Sequence, residues 1–253
     1  MLTYMIYLSF LGAFYKMCFL IKGVKKLKEI EDKFEARPII NRFKEFESLS
    51  KKYPEEFKKI LDSGHIYPNY FAPVITRECE DFFISPMRYR LRPHGSKEEI
   101  PSHYNVFNAR LDSLLKRKSW RPLIGKNHGI VILKRFYEWV EGSEGKKTLI
   151  SFYPESGNDL YVPVLYDYYE GNLEQNFYSY AVITDDPPRE VLEAGHDRVP
   201  IHLTKDEAKF WLHSDQSNAI GWCDFLSNKR HEFFKYDVES SLPKVESRQI
   251  GLF

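Results

Sequence analysis

Three cysteines in 253 residues, Cys18, Cys79 and Cys223, are too few and too scattered for a disulfide framework. This excludes a small cystine-stapled secreted scaffold and points to a reducing, cytoplasmic setting. No C-x-x-C or H-E-x-x-H is present and the eight histidines show no metal-ligand spacing, so neither a metal nor another cofactor is expected. An excess of one charge is also missing. With 37 Lys and Arg against 36 Asp and Glu, a histone-like, purely electrostatic nucleic-acid binder is excluded, while a local basic groove stays open. No internal repeat, low-complexity tract or Gly/Ser linker divides the chain, so one domain is expected.

Long apolar runs are scarce too. Residues 1–15 are apolar and aromatic, but they fall short of the ~20 residues of a spanning helix and carry no basic residues ahead of them. A membrane anchor is not expected. Patterned sequence begins at Met17, so residues 1–16 read as a leader or an over-extended start, and residues 17–253 as the domain. What the chain does have is aromatic surface, 17 Tyr and 19 Phe, enough to supply many stacking faces.

Val24, Leu27, Ile30 and Phe34 recur at helical spacing, and Ile39 to Leu49 repeats the pattern after Pro38. Pro54 with Glu55 and Glu56 predicts a third helix carrying Phe57, Ile60 and Leu61 to Gly64. Extended pieces follow at 72–76, 81–84 and 87–91, then at 148–153, 160–166, 177–184 and 232–238. Thr204 and Glu207 have capping-box spacing, predicting a helix to Leu212. Turns separate the strands more often than helices do, which favours an α+β domain with a curved, barrel-like, mostly antiparallel sheet and flanking helices.

Gly129 to Leu133 reads as a buried strand, and it leads into Phe136-Tyr137-Glu138-Trp139. Apolar surroundings would raise the pKa of Glu138 and make it a proton donor near neutral pH. The alternative is an exposed carboxylate paired with Arg135 or Lys134.

Three motifs stand in order: Asn108-Ala109-Arg110, Phe136-Tyr137-Glu138-Trp139 and Gly195-His196-Asp197-Arg198-Val199-Pro200. With Met17-Cys18 ahead of them, and with Trp120-Arg121-Pro122-Leu123 and Ile183-Thr184 between, the chain resembles the SRAP family (SOS response-associated peptidase domain). The resemblance implies recognition of abasic sites in single-stranded DNA, with covalent attachment through an N-terminal cysteine; a monomer is expected. It assigns Cys18 as nucleophile, Asn108 as the residue that positions amine or sugar, Glu138 as proton shuttle and His196 as an acid-base partner. Tyr89 would stack on a base, and Arg90, Thr184, Arg110 and Arg198 would contact DNA. Only an N-terminal cysteine offers an amine and a thiol on adjacent carbons, so Cys18 would have to be residue one of the mature protein. The chain departs from the family's Met-Cys-Gly-Arg start, which here reads Met17-Cys18-Phe19-Leu20. It also has Arg88-Tyr89-Arg90 for Arg-Trp-Gly, Arg135 for the Gly before the aromatic motif, and Val199 for Met. Two other functions fit the same residues: a cysteine-peptidase-like protein built on Cys18 with His196, Asn108 and Glu138, and a non-covalent single-strand-binding module.

Overall fold

The computed structural model describes residues 20–101, 103–141, 147–171, 175–229 and 232–240. Cys18, the apolar leader and the C-terminal tail therefore lie outside the described residues. In chain order the elements are β1 (Leu20–Gly23), α1 (Leu27–Phe34), β2 (Arg37–Pro38), α2 (Ile40–Lys52), β3 (Lys58–Lys59), β4 (His65–Ile66), β5 (Tyr70–Glu78), β6 (Asp81–Tyr89) and β7 (Asn108–Arg110). There follow β8 (His128–Glu141), β9 (Lys147–Pro154), β10 (Leu160–Tyr169), β11 (Phe177–Asp185), α3 (Arg189–Glu193), β12 (Val199–Pro200), α4 (Lys205–Trp211), α5 (Ala219–Ser227) and β13 (Phe234–Glu239).

Five strands close on themselves in the order β8-β10-β11-β6-β5, and β5 returns to β8 at Ile75↔Ile130. Within this barrel only β6 and β11 run parallel; the other pairings are antiparallel. Alternation along the strands sorts their side chains into two apolar clusters. Val74, Met87, Val131, Leu133, Val162, Val164, Tyr180 and Val182 form the inner one. Ile75, Ile84, Ile130, Ile132, Leu165 and Ile183 face outward under Phe34, Phe43, Ala208, Trp211, Trp222 and Leu226 from the helices. The fold is thus an α+β barrel with helices on its outside, and β9 and β13 extend the sheet beyond β8.

The expected third helix is absent. Residues 54–56 form turns, and Lys58–Lys59 pairs with Tyr70–Phe71. Phe57 explains why: it stacks on Phe71 at 5.2 Å and meets Phe177 edge-on, an aromatic cluster that outweighs local helix preference. The two extended pieces at 81–84 and 87–91 merge into one strand through Pro86. That proline stands opposite Pro73 of β5, so both missing N–H groups fall on one rung. α4 begins at the full capping box of Thr204 and Glu207. None of the helices among the described residues is long and apolar enough to cross a membrane.

Candidate active site

Strand β8 aims the acid through an irregularity. Against β1, Lys22 faces Arg135 and Gly23 faces Leu133, which leaves Lys134 as an extra residue, a β-bulge. Before the bulge the odd residues Val131 and Leu133 point inward; after it the even residues Phe136 and Val140 do. Glu138 lies between those two, and its side chain is only 1% exposed. Tyr137 and Trp139 take the opposite face, in a small cluster with Leu20 and Leu149. The expectation of a carboxylate among its flanking rings is therefore corrected: the apolar neighbours on its own face are Phe136 and Val140. Arg135 also takes the face away from Glu138, donating to Ser151 at 2.9 Å and Asp237 at 2.6 Å.

His196 arrives from the other side of the site. Helix α3 ends in a turn in which Gly195 has φ +98°, a conformation that favours glycine, and Gly195 N–H donates to Leu192 O at 2.9 Å. The next residue, His196, is thereby turned inward, with its N–H bonded to Val191 O at 3.2 Å. Its ring Nε2 lies 2.9 Å from Glu138 Oε2, and its side chain is 4% exposed. Nδ1 lies 2.9 Å from Arg198 O. Burial is the largest influence on this imidazole and lowers its pKa, yet the hydrogen bond and charge of Glu138, the Arg198 carbonyl and Asp197 together outweigh it. The net direction is upward. Nδ1 also lies 3.2 Å from the Arg198 N–H, which donates to it when that nitrogen is unprotonated, and the 2.9 Å contact of Nε2 with Glu138 favours the charged ring.

Asn108 sits in β7 beside Val182 of β11, and its backbone N–H donates to Asn105 Oδ1 at 2.9 Å. Its Oδ1 accepts from Tyr89 OH at 3.3 Å. Tyr89 is fully buried, stacked on Tyr180 at 5.3 Å with Phe107 at its edge. Neither face of that ring is open, so the expected base-stacking platform is instead a strut beneath Asn108. Thr184 is buried as well, on the rung between Arg110 of β7 and Pro200 of β12, where it spaces neighbouring strands and has no surface for a nucleotide. Arg90 is half-buried, and its guanidinium donates to Ile100 O. At φ +131° it occupies a conformation that favours glycine, the residue the family resemblance puts there.

Arg110 and Arg198 stand at the rim. Arg110 donates to both carboxylate oxygens of Asp112, at 3.1 and 2.8 Å, and Arg198 donates to Asp186 Oδ1 at 2.7 Å. Sequence reasoning singled out neither aspartate. Asp112 could have been found from its place two residues after Arg110, whereas Asp186 needed the pairing of β11 with β12.

A family model described as SOS response associated peptidase (SRAP) matches residues 17–245. The chain belongs to the SRAP family. This SRAP chain is 29% identical over 207 residues to the abasic site processing protein YobE of Bacillus subtilis, spanning 78% of the chain and 90% of that relative. It is also 29% identical over 164 residues to the abasic site processing protein HMCES of Rattus norvegicus, spanning 53% of the chain and 46% of HMCES. A crystal structure of a protein from Bordetella bronchiseptica shares the SRAP chain's fold with a TM-score of 0.68 at 18% identity, covering 88% of this chain and all of that one.

Proposed function

We propose that this protein is an abasic-site processing protein that captures abasic sites in single-stranded DNA as a covalent thiazolidine on Cys18. One observation carries the reading: the buried Glu138–His196 pair lies next to the strand that the nucleophile precedes. Leu20 pairs with Tyr137, the neighbour of Glu138, and Cys18 precedes Leu20 by two residues in the sequence.

The chemistry balances without an external oxidant or cofactor. The α-amine of Cys18 adds to the aldehyde of the ring-opened sugar, and loss of one water leaves an imine. The thiol then adds across C=N: sulfur bonds to carbon, nitrogen takes the proton, and a five-membered ring closes. A protonated His196 can hand a proton to the departing hydroxyl and regain one from the nitrogen as the imine forms, so that the thiol's own proton is free to pass to nitrogen on ring closure, with Glu138 beside the ring between transfers. Asn108, held by Tyr89 and Asn105, would hold the amine or the sugar. Ordinary pKa values near ~8 for the α-amine and ~8.5 for the thiol leave both partly reactive at neutral pH.

A denaturing gel tests the reading. Protein whose chain begins at Cys18 is incubated with single-stranded DNA carrying an abasic site. A shifted band should form, vanish for Cys18→Ala, and be absent with undamaged DNA. A chain with residues 1–17 attached lacks the free amine and should form no adduct; equal reaction of that form would sink the thiazolidine mechanism. Cleavage of a peptide in place of DNA capture would favour the peptidase alternative.

A further inference from the structure

The rim above the Glu138–His196 pair is built from three adjacent strands, β7, β11 and β12, with Arg110, Thr184 and Pro200 on one rung. Among the described residues, three cations at this edge each meet an aspartate. Arg110 is held by Asp112, Arg198 by Asp186, and Lys229 by Asp185. These pairs differ in how deeply they sit. The Lys229 side chain is 2% exposed, so its bond to Asp185 is a buried strut that is costly to break. Asp112 and Asp186 have side chains 58% and 83% exposed, so both carboxylates can turn out into water, the one from a half-exposed Arg110 and the other from an Arg198 side chain that is 12% exposed.

We infer that Asp112 and Asp186 are built-in stand-ins for DNA phosphates, which screen Arg110 and Arg198 in the free protein and set a threshold against undamaged single strands. This rests on the proposed DNA-capture function. The two-oxygen grip of Asp112 on Arg110 is the geometry by which an arginine takes a phosphate. Arg110 holds the Asp112 carboxyl below its ordinary pKa, with Arg198 and Lys116 adding to the effect, so one carboxylate lies in the field of three cations. A phosphate can enter only by displacing a carboxylate. That exchange costs every strand the same, and a strand that goes on to bond covalently to Cys18 recovers it irreversibly. An undamaged strand does not. Lys116, Arg117, Lys118 and Arg121, exposed and free of ion pairs among the described residues, follow Arg110 in the chain and leave the neighbouring surface open to the same backbone.

The test compares the parent with Asp112→Asn, Asp186→Asn and the double variant, using fluorescence anisotropy on undamaged labelled oligothymidylate and gel crosslinking to abasic DNA. Each neutralisation should tighten reversible binding. The salt slope should steepen by about 0.7 per freed arginine, so the gain at about 50 mM salt should exceed that at about 200 mM roughly threefold. Because the exchange costs every strand the same, crosslinking of abasic DNA under saturating undamaged competitor should be unchanged in the variants, while without competitor and below saturation it should quicken, and Asp112→Glu should behave as the parent. Unchanged or weaker binding by Asp112→Asn, with normal parental crosslinking, overturns the screening role alone. Failure of the parent to bind or capture any single strand overturns both this inference and the function it rests on.

Discussion

Tyr137 and Glu138 are consecutive residues of one strand, and each meets a histidine on its own face. On one side His65 Nε2 lies 2.8 Å from Tyr137 OH and Nδ1 lies 2.7 Å from Ser63 Oγ; on the other, His196 lies 2.9 Å from Glu138. Both imidazoles are buried. Burial pulls His65 down to about 4, with Lys22 adding to the fall, and pushes the Tyr137 phenol up to about 12. Burial also works against the charged form of His196, and there a carboxylate reverses the outcome. The charge of the partner, more than depth in the protein, decides whether a buried ring keeps its proton.

Removing that charge should have the largest effect. Glu138→Gln is expected to slow crosslinking by about 10²- to 10⁴-fold. It should lower the His196 pKa, read by imidazole NMR, while leaving affinity for undamaged DNA nearly intact. A variant that reacts at the parental rate would remove Glu138 from the chemistry.

Arg110→Ala addresses affinity and leaves the proton pair alone. Binding should weaken, and the salt slope should flatten by about 0.7, because the Asp112 charge is left unbalanced beside the DNA backbone. Full occupancy at high protein concentration should restore most of the crosslinking rate, which separates the rim from the acid-base pair.

The two faces should also respond to pH with opposite signs. The folded pKa of His196 is raised, so its contribution to stability is present below the unfolded value of ~6.5 and is lost as pH rises through the folded value. His65 is depressed, so its contribution is present above ~6.5 and is lost as pH falls toward about 4. Denaturant unfolding across this range should show His65→Gln flattening the acid limb and His196→Gln the limb above neutrality. The same limb flattened by both would break the comparison.

Gly195→Ala should have the smallest effect. Its Cβ would touch Val140 at an ordinary 3.5 Å, so the cost comes from φ +98° alone and should be about 1–2 kcal/mol in unfolding free energy. Activity should fall only as far as His196 is displaced.

Much of the barrel was legible because its strands carry the period-2 pattern and turn signals that sequence reasoning uses. The barrel-like curvature was expected as well, but not the rung that closes it, Ile75↔Ile130, which joins residues far apart in the chain. Phe57 and Ile60 have a spacing that suits a helix or a packed turn, and only the distant Phe71 and Phe177 decide between them. Helix α5 was missed because its Ala-Ile-Gly-Trp-Cys-Asp-Phe-Leu-Ser run has little polar face to set a period, although Trp222 and Leu226 anchor it in the outer core. At the site, Glu138 and His196 were nominated by motif, but their meeting depends on a bulge and a helix-ending turn in separate parts of the chain. Tyr89 and Thr184 were misplaced for the reverse reason. A motif names residue types without saying which are covered, and here Tyr180 and the β12 strand cover them.

The extra residue at Lys134 makes the identity of the acid a question of odd and even numbers. A single insertion or deletion between that point and residue 138 would present Tyr137 or Trp139 to His196 and turn the carboxylate toward Leu20, though every side chain of the motif was still present. A change of two would restore the acid to its face one step displaced along the strand. Point substitutions in Arg135 to Tyr137 leave that parity alone, so this stretch can vary in composition far more freely than in length.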